Sequence, residues 1–342
     1  MDAAQMPELE ATPIDKELME AATAGDTARM AALIDKANPH AQASLGDAPS
    51  PRSFSGTALM HAALAGRAEG VKILLRVSDP KAVNDIGSTA LMAAAYGNHV
   101  DCVRLLAPVS DISAQDIQGE TALVKALREG GDTECARALI PWGHLNVQDD
   151  AGTTALMRAT EANFVDAVKL LAPLADAELR SDEEKTALMM AAADGNVECV
   201  RALLPYSTVT AQDADGLDAM AHALSVRRDQ ADLAVSCVSL LRATLPEDKR
   251  RAGCHIAAAR AMAMSFWPVV DFLSEDMDPL LAAAAFRKSG PEAMPRYAAR
   301  LEASEIREAI AGVAETPERN AGVGKKFIGS EPVSERLRPK AL

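Results

Sequence analysis

The residues that could carry chemistry are five cysteines, six histidines and a Gly-Lys segment near the end of the chain. A phosphate-binding loop needs an early glycine and a Ser or Thr that holds magnesium. Around Gly322 and Gly324 those two positions are Arg319 and Lys326, so the segment does not fit a nucleotide site. The histidines are scattered, and none is paired with another at the spacing of metal ligands. We therefore expect no enzyme activity and no cofactor.

The cysteines do not form a metal or disulfide set. No Cys-x-x-Cys pair is present, which argues against zinc. Four of the five fall in one slot of a repeating pattern, at Cys102, Cys135, Cys199 and Cys237. Neighbouring stacked helices lie about 8–10 Å apart, too far for the roughly 4.4–6.8 Å that separates Cα atoms in a disulfide. We expect small buried thiols in a reducing compartment.

These residues belong to a unit that recurs along the chain. The stretch Thr186–Leu204 reads TALMMAAADGNVECVRALL, and Thr89–Leu106 reads TALMAAAYGNHVDCVRLL. The start of the unit recurs at Thr57, Thr89, Thr121, Thr154 and Thr186, with Asp218 in the same place, at intervals of 32, 32, 33, 32 and 32 residues. Such a period indicates a repeat architecture.

Each unit predicts a pair of short helices. Thr186 is a good N-cap, and Ala187–Ala193 contains no helix breaker. Gly195 supplies the positive φ of a tight reversal, Val197–Leu204 predicts the second helix, and Pro205 ends it. An Asp five residues before the Thr is predicted to hold the turn between units, at Asp116, Asp149 and Asp213.

A helix–loop–helix unit of this length, with an Asp-Gly turn before Thr-x-Leu, resembles the ankyrin repeat, in the form of its TALM subtype. The resemblance implies an all-α solenoid of about eight or nine stacked helix-turn-helix units with short hairpin-like turns. Two features depart from the family pattern. The proline of the Thr-Pro-Leu-His signature is replaced by alanine, at Ala58, Ala90 and Ala187. The histidine of that signature is replaced by methionine, at Met60, Met92, Met157 and Met189. We expect the hydrogen bonds of that histidine between repeats to be absent and methionine packing to replace them.

The chain divides into regions by how well it keeps this pattern. We predict a disordered N-terminus over residues 1–13, an array over 14–312 and a disordered tail over 313–342. Within the array, 14–37 is a degenerate first unit, 38–55 is a loop, 56–217 are regular repeats and 218–312 are degenerate units.

Composition narrows the possible partners. The net charge of −14 and the 3% aromatic content oppose nucleic-acid binding. No apolar run approaches the roughly 20 residues of a membrane span. We expect a protein of the cytoplasm or the cytoskeleton. We expect it to bind no nucleic acid and no small-molecule substrate, and not to insert into the membrane.

The resemblance implies a protein partner, bound in a concave groove made of turn tips and first helices. The repeat pattern also places His61 and His222 on the side of the first helices that faces this groove. Tyr96 is the best anchor candidate, because exposed aromatic residues often dominate interfaces. The predicted partner-binding residues are Asp85, Tyr96, Gln118, Glu120, Lys125, Arg128, Asp150, Arg158, Glu161, Asp182, Glu183, Glu184, Asp194 and Asp215.

Two questions remain open at this stage. The acidic turn tips are expected to project along one edge of the groove, either to attract a basic partner or only to form turns and keep the surface soluble. The function is expected to be that of a non-catalytic scaffold or adaptor. The alternative is a regulatory subunit or inhibitor of a catalytic partner such as a protein kinase.

Overall fold

A computed structural model describes residues 11–44, 54–128, 133–227 and 230–245, together with residues 254, 257, 261, 269 and 273. The chain divides into two units, Met1–Leu245 and Pro246–Leu342. In the second unit the five described residues are helical and buried. Apart from these five residues, the structure describes neither the predicted units beyond residue 245 nor the predicted tail. Residues 1–10 also lie outside the described residues.

The described part of the first unit contains seven helix pairs. The bounds are α1 Pro13–Ala24 and α2 Thr27–Leu33, α3 Ala58–Leu64 and α4 Ala68–Leu74, α5 Ala90–Tyr96 and α6 Val100–Leu106, α7 Ala122–Ala126 and α8 Thr133–Leu139, α9 Ala155–Glu161 and α10 Val165–Leu171, α11 Ala187–Ala193 and α12 Val197–Leu203, and α13 Ala219–His222 and α14 Ala231–Thr244. Short 3₁₀ turns span Ile140–Trp142, Leu204–Tyr206 and Ala223–Ser225. First helices pack on first helices and second helices on second helices. The predicted stack of helix pairs is confirmed, and Leu204 belongs to a 3₁₀ turn instead of the second helix.

The Thr that opens each regular unit caps its first helix. The side chain of Thr89 accepts a hydrogen bond from the Met92 amide at 3.2 Å, and Thr186 accepts one from Met189 at 3.4 Å. In two units the methionine reciprocates, because the Sδ atoms of Met92 and Met157 lie 3.4 and 3.5 Å from the N-cap amides. All four predicted methionines are buried, which confirms that they pack in the core.

The first unit begins earlier than predicted. Thr12 caps α1 in a reciprocal arrangement with Asp15, with distances of 3.3 Å to the Asp15 amide and 2.8 Å from the Thr12 amide to the carboxylate. The predicted boundary at residue 14 therefore falls inside the helix. The loop predicted over 38–55 also has structure at both ends, because β1 Ala43–Ser44 pairs antiparallel with β2 Ser55–Gly56.

In three repeats a side-chain hydrogen bond that the sequence pattern did not predict joins neighbouring units. In these repeats the residue that precedes the second helix reaches back to the C-terminal end of the first helix of the preceding repeat. Arg67 Nε donates to Thr23 O at 2.9 Å, His99 Nε2 to Leu64 O at 2.9 Å and Asn196 Nδ2 to Thr160 O at 3.1 Å. These bonds satisfy carbonyls that a helix end leaves free.

Successive turns are joined by backbone hydrogen bonds. Ile117 N donates to Ile86 O at 3.1 Å, Asp150 N to Gln118 O at 3.1 Å and Asp182 N to Ala151 O at 3.0 Å. Side chains add a second row, in which Gln115 donates to Gln148 O at 2.8 Å and Gln148 donates to Arg180 O at 2.7 Å. The turn tips therefore form a continuous, hydrogen-bonded edge of the stack.

The described part of the chain holds no helix that is both long and apolar enough to cross a membrane.

Candidate functional site

The turn that precedes each first helix is held by the side chain of one residue. Asp116 Oδ1 accepts from the amides of Gln118 and Glu120, each at 3.0 Å. Asp149 and Asp213 make the same pair of bonds in their own turns, at 2.8 to 3.0 Å. The predicted turn-forming role of these three residues is confirmed. Asn84 performs it in another unit, with distances of 3.2 and 2.8 Å.

The second oxygen of each turn Asp contacts a basic residue on the following first helix. Lys125 Nζ lies 2.5 Å from Asp116, Arg158 Nη2 lies 3.1 Å from Asp149, and His222 Nε2 lies 2.7 Å from Asp213. Each basic residue stands nine residues after its Asp. Where the turn residue is Asn84 or Ser181, the residue nine positions later is Ala93 or Met190. A carboxylate therefore appears in these turns only where a basic side chain can compensate its buried charge.

The pairs of two adjacent repeats join into one ionic network. Glu120 contacts three cations: Lys125 at 3.1 Å, Arg128 at 2.9 Å and Arg158 at 3.9 Å. Arg158 also pairs with Glu161 at 3.0 Å. Glu120 and Lys125 are buried, so the network forms the floor of the surface between α7 and α9.

An exposed apolar patch borders this network. The Tyr96 side chain is 59% exposed and that of Ile117 is 66% exposed. The guanidinium carbon of Arg128 lies 5.9 Å from the centre of the Tyr96 ring, within the range of a cation–π contact. Because Glu120 holds Arg128 from the other side, the ring is positioned by a chain of contacts that begins in the buried network.

Patch and network line one open groove of about 1150 Å³. The residues that line it come from α5, α7 and α9 and from the turns before α7 and α9, and they are Tyr96, Asn98, Ile117, Gln118, Glu120, Lys125, Arg128, Asp149, Asp150, Ala151, Arg158, Glu161 and Ala162. Eight predicted binding residues therefore meet in one place: Tyr96, Gln118, Glu120, Lys125, Arg128, Asp150, Arg158 and Glu161. The other six, Asp85, Asp182, Glu183, Glu184, Asp194 and Asp215, are exposed outside it.

The structure corrects three expectations about exposure. Glu120 does not project from the edge, because its carboxylate turns inward to Lys125 and Arg128. Lys125 is buried between Asp116 and Glu120 instead of facing outward. His61 and His222 are buried as well, the former donating to Ala43 O at 2.9 Å. The remaining acidic turn residues are exposed as predicted.

Carboxylates of the groove and its edge differ in how well their charge is compensated. Burial by itself raises the pKa of Asp116, but hydrogen bonds from Lys125 and two amides outweigh it and hold the pKa below the ordinary value. At Glu161 burial raises the pKa and Asp194 adds to the rise, against the opposing charge of Arg158. Burial also raises the pKa of Asp194, with Lys185 opposing it. The surroundings therefore favour the charged form of Asp116 and oppose the charged forms of Glu161 and Asp194.

The described ranges contain no group of three or more His, Cys, Asp or Glu that could hold a metal. The five cysteines are buried, and burial raises the pKa of the Cys102, Cys199 and Cys237 thiols to about 11. Such thiols are poor nucleophiles at neutral pH.

Sequence reasoning missed the ionic network although a signal for it was present. The signal is the nine-residue spacing from a turn Asp to a cation, together with its replacement by neutral pairs in the other units. The inward direction of Glu120 had no such signal, because it depends on Arg128 and on Arg158 of the next repeat.

Comparison with known proteins agrees with this architecture. The family model for ankyrin repeats, in three copies, matches residues 18–116, 108–180 and 173–242, which is more than half of the chain. Among solved structures, the ankyrin repeat domain of Bcl-3, described as a unique member of the IkappaB protein family, is similar with a TM-score of 0.53 and 20% sequence identity. The match covers 66% of this chain and 97% of that one. The search of curated proteins gave no match.

Ankyrin repeats generally mediate contacts between proteins and are typically non-catalytic. The chain has the helix pairs, the capped Thr-Ala-Leu starts and the hydrogen-bonded turns of such repeats, and the family model matches more than half of its sequence. This chain belongs to the ankyrin repeat family.

Proposed function

We propose that this protein is a non-catalytic adaptor that binds a protein partner in the groove between α5 and α9. The observation that carries the proposal is the exposed pair Tyr96 and Ile117 beside the buried ionic network. An aromatic side chain that stays exposed in a chain with 3% aromatic residues is a candidate binding anchor.

The anchor is held in place before a partner arrives. Arg128 is fixed by two hydrogen bonds to Glu120, at 3.0 and 2.9 Å, and lies over the Tyr96 ring. Binding to such a surface requires less ordering of side chains, so more of the contact energy remains as affinity. A groove of this kind suits a partner that presents an apolar side chain flanked by polar groups.

An affinity capture with matched variants tests this function. The full chain is used as bait in a lysate of its native cell, in parallel with Tyr96→Ala and with Val83→Ala. Val83 is an exposed apolar residue outside the groove, so its truncation controls for the general effect of removing exposed apolar surface. We expect a protein that the wild type and Val83→Ala retain and that Tyr96→Ala loses.

The same experiment separates the adaptor from its alternative. A captured protein kinase whose activity falls on binding would favour the regulatory role. Equal capture by all three baits would contradict the groove as the binding site.

We further propose that the partner presents a basic surface to the acidic edge beside the groove. The exposed carboxylates Asp182, Glu183 and Glu184 lie in the turn before α11, and Asp194, which follows that helix, interacts electrostatically with Glu161 of the groove. A row of like charge raises the rate of encounter with an oppositely charged surface.

Changing Asp182, Glu183 and Glu184 to Lys is therefore expected to slow association with the captured partner several-fold. The melting temperature should stay nearly the same, because the ion pairs lost are exposed and such pairs contribute little. The wild-type association rate should also fall as salt rises, since screening acts over about 8 Å at physiological ionic strength.

A second triple variant provides the control. Changing Glu17, Glu20 and Asp35 to Lys makes the same change in net charge at exposed positions of the first repeat, away from the groove. If both variants slow association equally, only the net charge of the protein matters and the acidic edge is not a recognition surface.

A further inference from the structure

A column of exposed apolar side chains runs along the stack away from the groove. Each member stands just after a second helix, in the same slot of five consecutive repeats, and the members are Val77, Val109, Trp142, Leu174 and Tyr206. They are between 39 and 59% exposed. Four of them follow an exposed proline, at Pro108, Pro141, Pro173 and Pro205. We call these nine residues the apolar stripe.

The regularity of the stripe distinguishes it from ordinary surface residues. Single exposed apolar side chains are common on soluble proteins and need no explanation. Here the slot carries an apolar residue in all five repeats, and it holds one of the chain's two tryptophans and one of its three tyrosines. A solvent-facing slot that only ended a helix would accept charged residues at some of its five occurrences.

Charged columns lie on both sides of the stripe. The last turn of each second helix, before the stripe, carries an exposed basic residue, at Lys72, Arg104, Arg137, Lys169 and Arg201. The turn that follows the stripe carries an exposed aspartate in three of the five repeats, at Asp79, Asp111 and Asp176, with His144 and Thr208 in the other two. Four of these basic residues pair with an acidic residue three positions earlier, at Glu69, Asp101, Glu134 and Glu198. Along the direction of each second helix, the surface therefore reads acidic, basic, apolar and, in three of the five repeats, acidic again.

A surface with this order is complementary to a second copy of itself. A two-fold rotation about an axis parallel to the stripe brings stripe against stripe and places the basic column of each copy opposite the acidic column of the other. A rotation about an axis across the stripe would place basic residues opposite basic residues, which opposes association. Two-fold contacts of this isologous kind are the commonest in soluble oligomers.

We propose that the protein forms a homodimer in which the apolar stripes of two copies face each other with their repeats in parallel register. The surface is large enough for this. The stripe, the two columns beside it and the acidic residue three positions before each basic one together contain 24 residues, within the roughly 20–30 that a standard interface uses on each side.

Sedimentation of the full chain tests the dimer. We expect a concentration-dependent equilibrium between monomer and dimer from about 1 to about 100 µM, the range of weak interfaces of standard size. Trp142→Glu combined with Leu174→Glu should remove the dimer, because each copy would bring two charges into the apolar contact. Both positions are exposed, so circular dichroism and the melting temperature should stay those of the wild type.

The groove provides the matched control. Tyr96→Glu combined with Ile117→Glu replaces two exposed apolar residues outside the stripe and should leave the dimer intact. A monomer at every concentration, or a dimer that the stripe variant does not weaken, would overturn the proposal and leave the stripe to a different protein.

Cross-linking tests the orientation. In parallel register Val77 faces its own counterpart, so Val77→Cys should form a disulfide-linked dimer on mild oxidation. Val83→Cys, at an exposed position outside the stripe, should not. A persistent dimer without a Val77→Cys cross-link would overturn the parallel arrangement.

Discussion

The Lys125→Met variant is expected to lose about 3–5 kcal/mol of unfolding free energy, the usual result of removing one partner from a buried ion pair. Lys125 is buried between Asp116 and Glu120, at 2.5 and 3.1 Å. Methionine fills a similar volume but leaves both carboxylates with less compensation. Urea denaturation of the wild type and the variant, compared at equal m-values, measures the difference.

A double variant shows whether charge is the cause. Asp116→Asn combined with Lys125→Met replaces the ion pair with two neutral residues, as at Asn84 and Ala93, while Glu120 keeps its contacts with Arg128 and Arg158. We expect it to unfold within about 1 kcal/mol of the wild type, since a buried pair can often be exchanged for neutral groups at little cost. A double variant as unstable as Lys125→Met would show that lysine packing, and not its charge, stabilises the site.

The pH dependence gives a further check on the same pair. Because the pKa of Asp116 is lowered in the folded state, its contribution is present above the ordinary Asp pKa and is lost as the pH falls through the folded value. The stability difference between the wild type and Lys125→Met should therefore shrink below about pH 4. A difference that stays constant on acidification would contradict the electrostatic origin.

The Gly119→Ala variant is expected to destabilise the protein by about 3 kcal/mol. Gly119 has a φ of 72°, a conformation that costs a residue with a Cβ about 1–2 kcal/mol. An added Cβ would also lie 2.7 Å from Asp150 N and 2.9 Å from the Asp149 Cα. These are backbone atoms, so the turns must separate, and the 3.1 Å bond from Asp150 N to Gln118 O would weaken by about 1 kcal/mol.

Gly216→Ala isolates the conformational part of that loss. Gly216 occupies the same place in its turn with a φ of 74°, and no described atom lies within 4 Å of the Cβ that alanine would add. We expect a loss of about 1–2 kcal/mol here. Equal losses for the two variants would mean that the close approach of successive turns does not contribute to stability.

The sequence by itself determined the local structure of each repeat. The helix over Ala187–Ala193 lies where the sequence predicts it, because Thr186 caps it and no residue within it opposes a helix. Gly195 has the predicted positive φ, at 70°, and Asn98 and Asn163 take that conformation in other repeats. The turn Asp residues act as predicted. These features depend on residues that are close in the sequence, so the spacing of residue types along the chain was sufficient to predict them.

Only the tertiary structure decided which charged side chains are available to a partner. Lys125 and Glu120 lie at positions that the repeat pattern directs outward, yet both are buried. Their direction is set by Asp116, Arg128 and Arg158, and Arg158 belongs to the next repeat. A charge turns inward when the opposite charges around it outweigh the cost of leaving water. That balance depends on contacts between residues of neighbouring repeats, and the sequence pattern of a single repeat does not predict those contacts.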